Sequence, residues 1–265
     1  MNFFTRSISN KLSLLLVLIF FAVSVSHAQS IGDYHSAANA NWATASTWQT
    51  YNGTTWVAAT TYPGQNAGTY SVTIVAGNTV SIPGTGISTN AMGNLTINGQ
   101  LTLNGSGTSQ TLYSLNTSQI AITPNLSPWA SINFLNKCIL TLPTDAIIKV
   151  QAYGLIGECN NNQEIQIGSN KYAACNGAPG YIFTFAELMA GGGTLNSIIT
   201  PSSNSICLGE SVQLLGSYSG AAVTPPTYSW TSTGPGTLTF SPSSVSQNST
   251  VTPTIAGLYT IMLTV

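Results

Sequence analysis

A chain of 265 residues with 4% charged side chains and a formal net charge of −1 lies far below the roughly 25% charge of an ordinary globular protein. With Arg6 and Lys11 at the extreme N-terminus set aside, three lysines (Lys137, Lys149, Lys171) face six carboxylates and no arginine remains. Nucleic acid and anionic lipid are held by many basic contacts, so both are excluded as partners. Disorder is excluded too, because 43% apolar and 9% aromatic residues are enough to build a core.

The first segment has the form of an export signal. Arg6 and Lys11 flank the start of an apolar run over residues 12–25 (LSLLLVLIFFAVSV), and Ser26-His27-Ala28 offers small residues at a cleavage site. The run is shorter than the roughly 20 residues that span a bilayer. The expectation is a signal peptide over residues 1–28, a mature chain secreted or held at the cell surface, and no membrane insertion after cleavage.

Next comes an aromatic group, Trp42, Trp48, Tyr51, Trp56 and Tyr62. Exposed rings on a flat β surface would stack on sugar faces, since they join a large apolar area to a polar edge. The same rings would otherwise close the open end of the first β-layer.

From residue 72 onward, short alternating runs recur in pairs. Val72-Thr73-Ile74 and Val80-Ser81-Ile82 flank Gly77-Asn78, while Leu95-Thr96-Ile97 and Leu101-Thr102-Leu103 flank Asn98-Gly99. Residues 112–115 precede 120–122, and residues 132–134 precede 139–142. Successive pairs start about 20 residues apart, within the range of a β-solenoid coil. Asn-Gly between alternating apolar residues is also a strong type I′ hairpin signal. A β-solenoid or β-roll and a hairpin sandwich both fit residues 29–150, and either is all-β.

The four cysteines, Cys138, Cys159, Cys175 and Cys207, read as disulfide formers in an exported chain. Cys159 and Cys175 bracket a polar loop and are the favoured pair; Cys138 and Cys207 are either partners or leave one thiol free. A zinc site fits poorly, with no CxxC and His35 as the sole histidine after the signal. Residues 184–190 (TFAELMA) suit one short helix, stopped by Gly191-Gly192-Gly193. The small polar stretch from there to about residue 205 reads as a linker.

Beyond it, strands are expected at residues 207–215, 228–230, 237–240, 250–253 and 257–265, the spacing of a small β-sandwich. Tyr228-Ser229-Trp230, with Ala256-Gly257-Leu258-Tyr259-Thr260 and Leu263-Thr264-Val265, resembles the polycystic kidney disease (PKD) or Ig-like module of bacterial surface proteins. Asn41-Trp42, Ser46-Thr47-Trp48, Pro63-Gly64 and Gly77-Asn78-Thr79-Val80 resemble the opening of large repetitive proteins exported by the type IX route. That resemblance implies a β-helix-like start followed by Ig-like modules, a cysteine beyond the last strand as partner for Cys207, and a chain that is a fragment of a larger protein.

Chemistry-bearing residues are scarce. Asp33 and His35 lie two apart but lack the orienting geometry of a Ser–His–Asp site. Glu158 and Glu164 are the nearest carboxylate pair for glycoside hydrolysis and read instead as solvated loop charges. Asn160-Asn161-Asn162 beside them is oxygen-rich, yet better suited to turns than to calcium.

The expectation is therefore an all-β chain in two domains. A β-solenoid- or β-roll-like domain with a disulfide loop covers residues 29–196, and a small Ig/PKD-like β-sandwich covers 197–265. Its function is that of a non-enzymatic extracellular adhesin or surface-structure module, without cofactor or metal, contacting polysaccharide or other surface proteins. The alternative is a carbohydrate-binding accessory region of a secreted polysaccharide-degrading enzyme.

Overall fold

Val, Ile, Leu and Thr at alternating positions favour pleated strands, and the Gly, Asn, Pro and Ser between them turn the chain. A computed structural model describes residues 29–123, 129–151, 154–160, 162–221 and 225–265. The export-signal reading of residues 1–28 lies outside the described residues.

Residues 72–167 wind into about four turns of a β-solenoid. Each turn carries three strands, one for each of three parallel sheets. The first turn is Val72–Ile74, Thr79–Ile82 and Ile87–Ser88; the second is Leu95–Ile97, Gln100–Asn104 and Thr111–Ser114. The third is Gln119–Ile122, Ser131–Leu135 and Cys138–Leu142; the fourth is Ile147–Val150, Leu155–Gly157 and Gln163–Ile167. Val72, Leu95, Ile120 and Ile148 lie side by side in the first sheet, at steps of 23, 25 and 28 residues. Pairs about 20 residues apart were thus the wrong unit. Thr111–Ser114 belongs to the second turn and Gln119–Ile122 to the third, and two-residue Ile87–Ser88 is too short to show a period.

The hairpin alternative fails at its strongest signal. Leu95–Ile97 and Gln100–Asn104 do not pair across Asn98-Gly99; they enter different sheets and pair with the turns above and below. Neither Asn98 nor Gly99 has the positive φ that a type I′ turn demands. Gly99 is needed for another reason: a Cβ there would stand 2.3 Å from the Asn78 carbonyl oxygen and 2.4 Å from that of Val75. Stacking satisfies both edges of each inner strand, where a lone hairpin leaves two edges open.

Alternation then sends one face of all three sheets inward. Val80, Leu101, Ile132 and Leu155 form one buried file, and Tyr113, Leu140 and Ile165 another. One interior file is polar: Thr111, Cys138 and Gln163 are in register and buried. Gln163 donates to the Asn136 carbonyl and accepts from the Asn160 amide at 3.2 Å. Burial, followed by the negative charges of Glu158 and Glu164, pushes the Cys138 thiol up to about 12, so it stays protonated.

Both ends of the stack are closed. At the start, Tyr34–Ser36 and Ala40–Asn41 continue two of the sheets in parallel, and Trp48–Tyr51 and Trp56–Ala58 extend the first sheet antiparallel. At the far end, Asn170–Ala174 folds back on Gln163–Ile167, and the Cys159–Cys175 disulfide closes the base of this hairpin, which replaces the polar loop expected there and buries Glu164 instead of leaving it solvated. Helix α1 (Phe185–Ala190) then covers the last turn, burying Phe185 and Leu188, with the Phe185 ring 4.8 Å from that of Phe134. Thr184 caps it, accepting from the Glu187 amide while the Glu187 carboxylate accepts from the Thr184 amide.

The segment read as a linker is in fact a strand. Asn196–Pro201 pairs antiparallel with Val212–Ser219, which pairs with Asn248–Val251; Ser229–Thr233 pairs with Thr260–Thr264. These two small antiparallel sheets face one core of Val212, Leu214, Trp230, Leu238, Val251 and Leu263. Residues 207–211 turn rather than extend, and residues 237–240 pack Leu238 inward without joining a sheet. Cys138 and Cys207 are both free, the first inside the solenoid and the second exposed, so they are not partners.

Candidate functional site

Register decides which rings of the aromatic group can meet a ligand. Ser36 lies opposite Trp48, and Tyr34 opposite both Thr50 and Val72, so Trp48 shares the inward face of Val72. Trp42 is 0% and Trp48 1% exposed. The two indoles meet edge to face at 4.9 Å. Trp42 Nε1 donates to the Pro63 carbonyl at 3.0 Å, and Trp48 Nε1 donates to the Trp42 carbonyl at 2.8 Å. Buried and fully hydrogen-bonded, this pair forms the lid of the first turn and offers no ring face to a sugar. Tyr62 is half-buried against the same core.

The opposite parity builds an outer surface. Gln49 pairs with His35 and Ala58, Tyr51 pairs with Trp56, and His35 pairs with Thr73, so His35, Gln49, Tyr51, Trp56 and Thr73 share one face. The His35 ring stacks on Trp56 at 3.9 Å and 20°, and Tyr51 leans against Trp56 at 5.4 Å and 56°. His35 Nε2–H donates to Gln49 Oε1 at 2.8 Å, which fixes the imidazole against the indole. The face runs on along the sheet through Thr73, Thr96, Ala121 and Lys149. Of the five expected contact residues, Tyr51 and Trp56 therefore come together on an outer face. His35 and Gln49, not assigned to this surface from the sequence, join them; alternation along one strand signals Gln49 beside Tyr51, whereas His35 arrives only through strand pairing.

Compared with known proteins, the chain matches no family model, no curated protein and no solved structure.

Several of the other chemistry-bearing groups have structural partners. Asp33 accepts from the Ser71 amide at 2.8 Å, away from the His35–Trp56 stack. Glu164 is 9% exposed and accepts from the Tyr181 hydroxyl. Desolvation, with the Glu164 hydrogen bond second, pushes that phenol up to about 12. Lys171 lies 5.7 Å from the centre of the Tyr181 ring. Together these residues clasp the loop after Cys175 onto the third sheet. Glu187 caps α1, and the Glu210 carboxylate accepts from the Cys207 amide at 3.1 Å. Asn160 Oδ1 accepts from the Asn162 amide at 3.1 Å, a local turn, while Asn161 lies outside the described residues.

Proposed function

We propose that the protein is a non-enzymatic extracellular surface module, whose solenoid presents a flat, weakly charged face to polysaccharide or to neighbouring surface proteins. One observation carries the reading: the outer face of the first sheet holds Tyr51 and Trp56 beside His35, with Gln49 and Thr73 as polar neighbours. An indole braced by an imidazole loses little freedom when a sugar ring stacks on it. The amide and hydroxyl beside it suit sugar hydroxyls, and a surface so poor in charge suits a neutral glycan rather than an acidic one. The non-enzymatic part of the reading draws support from Asp33, Glu164, Glu187 and Glu210, each held by a structural hydrogen bond.

Native gels containing a panel of soluble neutral glycans (xylan, mannan and mixed-linkage glucan) test this. Retardation by one or more glycans is expected, weakened about tenfold in Trp56→Ala and Tyr51→Ala, as the loss of one stacked ring implies. The absence of retardation in the wild type would refute the glycan reading. So would retardation that survives both substitutions undiminished.

A further inference from the structure

Sheet geometry gives the outer face around Trp56 a direction. Seven strands lie side by side from Trp56–Ala58 at one edge to Ile147–Val150 at the other. Steps of about 4.8 Å between them make the face about 29 Å long down the solenoid axis. The three-residue strands Val72–Ile74 and Leu95–Ile97 make it only about 10 Å wide. A sugar chain stacked on Trp56 and running with the strands leaves the sheet after one or two rings. Running across the strands, it keeps contact to the far edge.

The side chains along that second path are small and polar. In register, one from each strand, stand Gln49, His35, Thr73, Thr96, Ala121 and Lys149. The His35–Trp56 stack is a raised shoulder at one end, and nothing larger than threonine follows it in this file before Lys149. Thr73 and Thr96 are half-buried and Lys149 is exposed, and among the described residues no other side chain engages either hydroxyl. Two residues earlier, on the same face by alternation, Ser71, Asn94 and Gln119 add a hydroxyl and two amides. The ladder continues through them: the Tyr34 amide donates to the Ser71 carbonyl and the Val72 amide to the Asn94 carbonyl, each at 2.8 Å. Lys149 is the only lysine in the seven strands, and Asp33, held by the Ser71 amide, balances it. An acidic polymer laid along this face would have most of its charges desolvated without a partner, whereas a neutral one has none to place.

Resting on the glycan reading of this face, we propose that the ligand is a linear, neutral polysaccharide held along its length. It lies across the strands, with about one sugar unit to each strand from Trp56 to Lys149. The strand spacing of about 4.8 Å is close to the advance of one unit in an extended chain of equatorially linked pyranoses. One unit stacks on Trp56, and those beyond it exchange hydrogen bonds with the Thr73 and Thr96 hydroxyls and accept from the Lys149 ammonium. A short sugar meets only the aromatic shoulder.

The full chain is titrated calorimetrically with xylo-, manno- and cello-oligosaccharides of two, four and six units. In at least one series, affinity is expected to climb about tenfold from two units to four and about tenfold again from four to six, as one or two added hydrogen bonds at each step imply. Four units reach from Trp56 to the strand of Thr73. Thr96→Val is therefore expected to weaken the six-unit chain about fivefold and the four-unit chain not at all. Valine keeps the branching that suits a strand, so the fold stands. Equal affinity for four and six units, or six-unit binding indifferent to Thr96→Val, overturns the axial path; the glycan reading survives if that binding still needs Trp56. No binding in any series overturns the path as well, and if the soluble polymers also fail to retard the chain, the glycan reading falls with it.

Discussion

Asparagine placed at two glycines separates stacked turns from hairpins, because the two positions are glycine for different reasons. Gly77 has φ +85° and nothing within 4 Å of an added Cβ, whereas Gly99 has an ordinary φ and backbone oxygens at 2.3 and 2.4 Å. Asparagine tolerates the left-handed region, so Gly77→Asn is expected to cost about 1 kcal/mol or less. At Gly99 the turn beneath would have to move away. That movement strains the bonds from the Asn98 and Gly99 amides to the Ile74 carbonyl (2.9 and 3.0 Å) and from the Gln100 amide to the Asn78 carbonyl (2.9 Å). Overpacking costs about 1–3 kcal/mol, and each weakened hydrogen bond adds up to about 1 kcal/mol, so Gly99→Asn is expected to cost about 3 kcal/mol. In urea, with a slope near 2 kcal/mol per molar, this lowers the midpoint by about 1.5 M, readable from tryptophan fluorescence. A hairpin would give the opposite order, since asparagine is welcome in its left-handed turn positions. Gly99→Asn within about 0.5 kcal/mol of wild type, or Gly77→Asn as costly as Gly99→Asn, would refute the stacking argument.

The remaining predictions concern the lid, the disulfide and the buried thiol. Trp48→Ala opens the first turn and is expected to cost about 3–5 kcal/mol, while half-buried Trp56→Ala should cost about 1 kcal/mol; equal losses in chemical denaturation would contradict the division of the aromatic group. Cys159→Ala with Cys175→Ala releases a loop of sequence separation 16, and loop-closure entropy puts the loss at about 3 kcal/mol. An unchanged urea midpoint would argue against that bond. Cys138 and Tyr181 both hold their protons more tightly folded than unfolded, with values raised from 9.0 and 10.0 to about 12. Their contribution to stability is whole below about pH 9 and is lost as pH rises toward about 12. Melting temperature should fall across that window, less steeply in Cys138→Ala; identical slopes would remove the thiol from the account.

Much of this fold is legible residue by residue. Leu95-Thr96-Ile97 and Leu101-Thr102-Leu103 announce both strand and inward face, because alternation is a local property of the chain. Thr184 to Ala190 announces a helix, and Gly191 to Gly193 its end. The Cys159–Cys175 bond follows from two cysteines bracketing one short segment, although that segment is a hairpin and not the polar loop its composition suggests. Near absence of charge follows from composition alone.

Tertiary structure decided what pairs with what. Asn98-Gly99 serves a hairpin or a solenoid corner equally well until the turns above and below supply partners for both edges. Asn196–Pro201 looks like a linker because its neighbours are small and polar, and it is a strand because Val212–Ser219 offers an edge. The aromatic group is a single cluster in sequence. Only the register of Trp48–Tyr51 against Tyr34–Ser36 sends Trp48 under the lid and brings Tyr51 and Trp56 beside His35 on the outer face. Strand character is set by a residue and its near neighbours, whereas partner and facing are set by segments many residues away, which short-range pattern does not encode.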